Sequence, residues 1–277
     1  MIQSRRGPTV RSLQLPLPPS PMPRFRGARP LKRWRYVGAY SPELMLCVCD
    51  VRIGPARQRW WAVAEPGKPI VARTTTRGAG GVRLDGSRAV VESRDVRVDV
   101  EVEESPGVES VHASGRNGYV WTRKQAGVPV RGEVRLGERC LAVDALGVVD
   151  ETAGYHQRRT AWRWCAGAGR LTDGRVVGWN LVTGVNDPPK DSERAIWVDG
   201  ADFEPGPVEI AADLSSVRFA EGGELAFQPW SERAERTNLL LVRSSYRQPF
   251  GSFSGALPGG LELDEGHGVM EWHDVRW

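Results

Sequence analysis

The C-terminal part of the chain holds the residue types best suited to chemistry. The stretch from Glu265 to Asp274 contains two of the four histidines, His267 and His273, together with three carboxylates. Because side chains alternate across a strand, an extended conformation places His267, Glu271 and His273 on one face. At roughly 3.3 Å per residue, Glu271 and His273 lie about 6.6 Å apart, whereas His267 lies about 13 Å from Glu271. The spacing therefore singles out Glu271 and His273 as a compact pair.

Three kinds of chemistry suit such a pair. A carboxyl in an apolar pocket keeps its proton and can act as a general acid. Two histidines and one carboxylate can hold a metal ion, but His156 would have to supply the third ligand from another strand. Histidines near a barrel mouth can also simply donate to backbone carbonyls. Donation to backbone carbonyls is favoured over acid chemistry, and acid chemistry over a metal site; we expect no metal and no organic cofactor.

A second polar cluster lies near the middle of the chain and is predicted to form a hairpin corner. Its members that suit chemistry are Asp150, Glu151, Tyr155 and His156. The alternative is a solvated loop whose two carboxylates pair with Arg158 and Arg159, because surface ion pairs are common.

Tryptophan is the next notable residue type, with eleven in the chain, well above average usage. Trp162 and Trp164 share one face of a predicted strand. Aromatic side chains fill a wide β core, but they can also wall an apolar cavity or face a cationic intermediate. For Asn180, the alternative to orienting a ligand is closing a turn. The predicted ligand-binding residues are Tyr155, Trp162, Trp164, Asn180 and Trp272, and the catalytic candidates are Asp150, Glu151, His156, Glu271 and His273.

Strands must position these residues, and strand patterns dominate the chain. From Val96 to Val102 valines alternate with charged residues, which predicts an antiparallel strand with one buried face. Further segments of strand character are 45–53, 58–64, 81–84, 119–124, 131–136, 160–164, 176–182, 195–198, 208–212, 224–228 and 238–243. Many short strands with few helices predict an all-β barrel or sandwich.

Charge and proline divide the chain. Residues 1–42 hold nine basic and no acidic side chains, whereas the remainder holds 29 basic and 34 acidic ones, a net charge of −5. Five prolines lie between residues 16 and 23. We predict a disordered leader at 1–33 rather than a polyanion-binding arm, followed by two β halves at 34–148 and 149–277. We expect no nucleic-acid partner.

Several classes of protein are excluded. The sequence contains neither a run of about 18 apolar residues, which would predict a membrane span, nor a signal-peptide core. We therefore expect a cytoplasmic protein. The four cysteines lack the spacing of a disulfide framework or a zinc site. The absence of a P-loop, a dinucleotide fingerprint and a nucleophile elbow argues against nucleotide-dependent enzymes and serine hydrolases.

Four runs of residues resemble one bacterial family. They are residues 32–38, 155–164, 178–182 and 266–273. From about Arg29 to Trp277 the chain is similar to a bacterial domain-of-unknown-function family, distantly related to AttH-like proteins such as hydroxyneurosporene synthase, a carotenoid hydratase. The resemblance implies two packed lipocalin-like antiparallel β-barrel halves with a pocket for an apolar molecule.

Two functions are then expected. One is binding of an apolar small molecule of lipid or isoprenoid type in the β-barrel pocket. The other is a cofactor-independent hydratase or isomerase, in which Asp150, Glu151 or Glu271 protonates an isoprenoid alkene while Trp162 or Trp164 faces the carbocation. In that enzyme His156 or His273 would hold the water. An enzyme buries converging ionisable groups in its pocket, whereas a carrier keeps them at the mouth.

Overall fold

The computed structural model describes residues 2–76, 81–238 and 243–277, whose regular secondary structure is almost entirely antiparallel β-strand. A 3₁₀ helix spans Gly7–Leu13. The strands up to residue 154 are β1 (Arg5–Arg6), β2 (Phe25–Arg26), β3 (Arg29–Pro30), β4 (Lys32–Tyr40), β5 (Met45–Ile53), β6 (Ala56–Ala64), β7 (Val71–Thr75), β8 (Val82–Asp85), β9 (Arg88–Glu92), β10 (Val96–Val102), β11 (Val108–Ser114), β12 (Gly118–Leu136) and β13 (Arg139–Gly154). The later strands are β14 (Arg159–Leu171), β15 (Val176–Thr183), β16 (Ala195–Val198), β17 (Ala201–Phe203), β18 (Val208–Ile210), β19 (Ser216–Phe219), β20 (Glu224–Asn238), β21 (Arg243–Leu257) and β22 (Leu261–Arg276). No helix in this described part is long and apolar enough to span a membrane.

The strands form two large curled sheets. The first has the order β7-β6-β5-β4-β13-β12-β10-β9-β8, with β11 also paired to β12 and β1 paired to β11. The second has the order β17-β16-β15-β14-β22-β21-β20-β19-β18. Each sheet encloses an apolar cluster of its own, and a third cluster lies where the two sheets meet. The predicted all-β fold with two antiparallel half-barrels is therefore confirmed.

Alternation along the strands explains these interiors. In β10, Val98, Val100 and Val102 are each 1% exposed, whereas the charged residues between them face outward. Burying one such side chain contributes roughly 1.5–3 kcal/mol. In the second sheet, Trp179 and Phe253 pack edge to face with ring centroids 5.2 Å apart. Each half-barrel is thus filled by its own side chains.

The long hairpin of β12 and β13 differs from the prediction. The segments predicted at 119–124 and 131–136 are two parts of β12, joined at a bulge where Gly127 has φ of 74°. β13 pairs with β12 on one side and β4 on the other as far as Gly154, so residues 150–154 belong to a strand rather than a hairpin corner. The chain consequently changes sheets after Gly154, not at residue 148. The segment predicted at 238–243 falls mainly on 239–242, outside the described residues.

The N-terminal segment also differs from the predicted disordered leader, because it packs on the first sheet. Its fully or almost fully buried apolar side chains are Val10 and Leu17. The hydroxyls of Tyr119 and Tyr155 donate to the backbone carbonyls of Pro16 and Pro23, at 2.8 and 2.7 Å. Proline lacks a backbone donor but keeps its carbonyl, so a proline-rich chain can still be held by tyrosine hydroxyls.

The two sheets approach closely at Gly178 of β15. A Cβ atom there would lie 2.4 Å from the Ala126 carbonyl carbon and the Gly127 nitrogen. We expect Gly178→Ala to lower the free energy of unfolding by about 3 kcal/mol, because backbone on both sides resists displacement. Urea unfolding measures the loss. Gly206→Ala is the control, since a Cβ there meets the flexible Glu221 carboxylate; equal losses in both variants would contradict the explanation.

Candidate active site

A cavity lies between the two sheets, with about 1200 Å³ of empty space when solvent at its mouth is included. Exposure falls inward along β5 and β6: Val51 and Gln58 are half-buried, whereas Cys49 and Trp60 are buried. The strand pairing aligns Cys49 with Trp60 on one side and with Tyr36 on the other. Cys49, Trp60 and Tyr36 are therefore a buried part of the cavity wall in the first half-barrel, and the second half-barrel also contributes lining side chains.

Aromatic rings form a large part of its walls. Tyr36 meets Trp60 at 5.6 Å and Trp164 edge-on at 5.4 Å between ring centroids. Tyr246 lies 6.0 Å from Trp60, and Trp162 contacts His273 at 4.4 Å. These rings present apolar surface, and their faces carry negative electrostatic potential. The walls thus suit an apolar molecule and, transiently, a cation.

Glu271 is one of the buried carboxyls on this surface. It is 7% exposed and is held by strand β22, which pairs Glu271 with Trp164. Its Oε1 accepts a hydrogen bond from Trp162 Nε1 at 2.8 Å, and its Oε2 accepts one from Gln248 Nε2 at 3.2 Å. Burial raises the pKa of Glu271 to about 7, although the Trp162 hydrogen bond opposes the shift. The carboxyl is therefore poised between its neutral and ionised forms near pH 7.

His273 lies beside Glu271 on the same strand face, as the spacing predicts. Its Nε2 is 2.7 Å from the Ser244 hydroxyl, and its ring is also edge-on to Tyr246. Burial lowers the pKa of His273 to about 3, with Arg233 adding to the effect. His273 is consequently neutral at physiological pH. The hydroxyl of Tyr246 is buried and makes no good hydrogen bond to a described residue, although it lies close enough to Glu271 to lower the pKa of that carboxyl.

Asp150 reaches the cavity from β13 and joins a buried ion pair. Lys124 Nζ donates to its Oδ1 at 2.6 Å, and Trp34 Nε1 donates to its Oδ2 at 3.2 Å. Glu193 Oε1 lies 3.7 Å from the same ammonium. Burial would lower the pKa of Lys124, but Asp150 and Glu193 outweigh it and raise that pKa. Burial raises the pKa of Glu193.

His156 lines the same side of the cavity. It is 6% exposed and its ring lies 5.2 Å from that of Trp34. Burial, together with the nearby Lys32 ammonium, lowers the pKa of His156 to about 3. Its Nδ1 is buried with no hydrogen-bond partner in the described part of the chain; the Gly154 backbone is close but outside hydrogen-bond geometry.

A further polar contact joins the two sheets at β20 and β7. Arg233 lies over the rings of Trp60 and Tyr246, at 4.5 and 5.0 Å from their centroids. Its Nη2 donates to Glu235 at 2.5 Å and to Thr74 of the first sheet at 2.8 Å. The cation is thus compensated by a carboxylate and locks β20 to β7.

Glu151, a predicted catalytic candidate, points away from the cavity. It pairs with Arg35 and Arg123, each at 2.6 Å. Because Glu151 follows Asp150 in a strand, alternation requires it to face the other side. Neither carboxylate pairs with Arg158 or Arg159 in the described residues, so the solvated-loop alternative also differs from the structure.

Three predicted ligand-binding residues lie outside the cavity lining. Tyr155 packs under the N-terminal segment. Trp272 packs on the interior of the second half-barrel, on the strand face opposite Glu271. Asn180 is fully buried; its Oδ1 accepts from Trp164 Nε1 and its Nδ2 donates to the Glu193 carbonyl, both at 2.8 Å. Asn180 therefore orients Trp164 instead of touching a ligand.

Several cavity residues were missed in the sequence. They are Trp34, Tyr36, Trp60, Lys124, Glu193, Arg233 and Tyr246. Of these residues, only Lys124 could have been predicted, because a β12–β13 hairpin pairs it directly with Asp150.

The metal arrangement considered for Glu271, His273 and His156 is not formed. Within 2–76, 81–238 and 243–277, no three His, Cys, Asp or Glu side chains are grouped so as to hold a metal ion. Glu271 and His273 instead accept or share hydrogen bonds with Trp162 and Ser244.

Comparison with known proteins identifies a sequence family and similar solved structures. Residues 70–277 match the family model described as Domain of unknown function (DUF2804). A candidate AttH from Nitrosomonas europaea is 13% identical, with 94% of this chain and 98% of that chain covered at a TM-score of 0.56. Kievitone hydratase from Nectria haematococca is 8% identical, with 89% and 88% covered at a TM-score of 0.48. A search of curated proteins found no significant match. The likeness to the first structure shows a shared lipocalin-like fold.

Proposed function

The chain belongs to the DUF2804 family, and we propose that it binds a largely apolar small molecule of lipid or isoprenoid type between its sheets and protonates it through Glu271. The observation that carries the proposal is the position of Glu271: a carboxyl with a pKa of about 7, buried on an aromatic cavity wall. A general acid is most effective when its pKa lies near the operating pH.

The convergence of ionisable groups favours an enzyme over a carrier. Asp150, His156, Glu193 and His273 line the same cavity as Glu271. All but His273 are less than 9% exposed, so these groups lie within the cavity and not only at its mouth. Burying such groups costs free energy, and proteins commonly retain them where chemistry needs them.

The proposed reaction begins with neutral Glu271 giving its proton to one carbon of an alkene, whose π electrons form the new C–H bond. The positive charge on the other carbon faces the rings of Trp162 and Trp164. In the proposal, a water held by His273 then attacks this carbon and loses a proton to the Glu271 carboxylate. Loss of a proton from a neighbouring carbon gives isomerisation instead, and either route regenerates the acid.

Deuterium incorporation tests the proposal without a known substrate. The protein is incubated in D₂O with a lipid extract of its own host, and products are analysed by mass spectrometry. We expect the wild type to place deuterium on carbon, and Glu271→Gln to do so at least about 100-fold more slowly, because the amide cannot give a proton.

Glu262→Gln is the matched control, since Glu262 lies on the same strand but is exposed. It is expected to retain the full rate. Undiminished deuterium incorporation by Glu271→Gln would show that Glu271 is not the acid. A wild-type protein that binds a lipid from the extract but incorporates no deuterium into it would be a carrier.

A further inference from the structure

We infer that the molecule bound in the cavity carries one uncharged oxygen group, a hydroxyl or a carbonyl, held by Lys124 and His156. The inference rests on the proposed function and specifies its substrate class. It arises from two buried polar side chains near Trp34, on one side of the cavity, whose hydrogen-bonding capacity the described residues do not use in full.

Lys124 is the first of these groups. Its side chain is 4% exposed and lines the cavity. An ammonium has three N–H donors, yet among the described residues Asp150 alone accepts a hydrogen bond from it. Glu193 Oε1, at 3.7 Å, contributes charge rather than a hydrogen bond. At least one N–H is consequently available to an oxygen atom in the cavity.

His156 is the second group. Its imidazole is more than nine-tenths buried and lines the cavity, and its Nδ1 makes no hydrogen bond to any residue in the described ranges. Buried polar groups without partners are rare in folded proteins because each costs about 1–3 kcal/mol. A ligand hydroxyl can donate to or accept from a neutral imidazole, and a carbonyl can accept from it, so either would remove this penalty.

The charges around the two groups favour a neutral ligand oxygen. The positive charge of Lys124 already pairs with Asp150, and Glu193 lies 3.7 Å from the same ammonium. A ligand carboxylate would place a further negative charge beside these acids, and the neutral imidazole of His156 would not compensate it. A ligand ammonium could not accept a hydrogen bond from the Lys124 ammonium and would be repelled by it at contact distance. A hydroxyl or carbonyl gains the hydrogen bonds without either repulsion.

The oxygen subsite lies close to the proposed acid. Asp150 acts electrostatically on Glu271 and raises the pKa of that carboxyl. Tyr36 is paired with Asp150 in the first sheet and contacts Trp164, which is paired with Glu271 in the second. The double bond of one small molecule can therefore lie beside Glu271 while the oxygen of the same molecule lies beside Lys124.

Three saturated probes that cannot react test the inference: tetrahydrogeraniol, the hydrocarbon with the same skeleton, and the corresponding carboxylate. Each is titrated into the wild-type protein at pH 8 while tryptophan fluorescence is followed. We expect the alcohol to bind about tenfold more tightly than the hydrocarbon and the carboxylate, which is the effect of one or two buried hydrogen bonds.

His156→Phe keeps the aromatic contact with Trp34 and removes the imidazole nitrogens. We expect it to reduce the preference for the alcohol below about threefold while leaving the hydrocarbon affinity unchanged. His267→Phe, on a histidine outside the cavity, is the matched control and retains the full preference. Circular dichroism and urea unfolding confirm that both variants fold.

Equal binding of alcohol and hydrocarbon, or tightest binding of the carboxylate, would overturn this inference. Neither result bears on Glu271, whose role is measured by deuterium incorporation. Failure of all three probes to bind would instead contradict the proposed cavity function, and this inference with it.

Discussion

Glu271→Gln is expected to gain about 2–3 kcal/mol in free energy of unfolding, relative to the wild type, when the pH is raised from 5 to 8. The ordinary pKa of a glutamate is 4.5, and burial raises that of Glu271 to about 7. Between these values the folded chain binds more protons at this carboxyl than the unfolded chain does. The stability of the wild type therefore falls as pH rises through this window, whereas the neutral amide is insensitive to pH.

Urea unfolding of both proteins at pH 5 and pH 8 measures this difference. Glu262→Gln serves again as the control, and its stability is expected to stay within about 0.5 kcal/mol of the wild type at both pH values. A Glu271→Gln variant that tracks the wild type at both pH values would mean that the carboxyl is not desolvated. Combined with the loss of deuterium incorporation, a gain in stability would identify Glu271 as a residue whose burial serves chemistry.

Local alternation made much of the fold and part of the site predictable. The valines of β10 revealed a buried face because a period of two is a direct consequence of strand geometry. The same argument put Glu271 and His273 on one face and Trp162 and Trp164 on another, and the structure brings all four to the cavity. Each of these predictions needed only residues within one strand.

The sequence could not predict which face of a strand lines the cavity where either set of alternating residues was an acceptable choice. Trp272 and Glu271 are neighbours on β22, and the tryptophan fills a half-barrel while the carboxyl lines the cavity. A one-residue change of phase would exchange them. The prediction of Glu151 as a catalytic candidate differs from the structure for the same reason. Glu151 alternates with Asp150, and Arg35 and Arg123 neutralise its charge on the outer side of the sheet.

Contacts between distant strands were the other limit. Arg233 of β20 stacks on Trp60 of β6, and Glu193 approaches Lys124 of β12. Such partners depend on how the two half-barrels pack, which no pattern within a strand encodes. The N-terminal segment is similar: its prolines argue for disorder, but tyrosines more than 100 residues away hold its carbonyls.

Lys124→Met is expected to lower the free energy of unfolding by about 3–5 kcal/mol at pH 7, the largest loss among single substitutions in the cavity. The substitution leaves Asp150 buried without its cation, and Trp34 and Thr152 provide only neutral hydrogen bonds. Arg131→Met is the matched control on the same strand. Arg131 is 63% exposed and pairs with exposed carboxylates, so its loss is expected to cost less than about 1 kcal/mol.

A second substitution separates the two roles of this pair. Adding Asp150→Asn to Lys124→Met removes the uncompensated charge and is expected to restore at least half of the lost stability, because buried ion pairs contribute little net stability once both charges are gone. The preference for tetrahydrogeraniol is expected to stay lost, since the ammonium that holds the ligand oxygen is absent. Stability and preference restored together would mean that the pair serves only the fold. Stability restored without preference would mean that a costly buried charge is kept to hold the ligand.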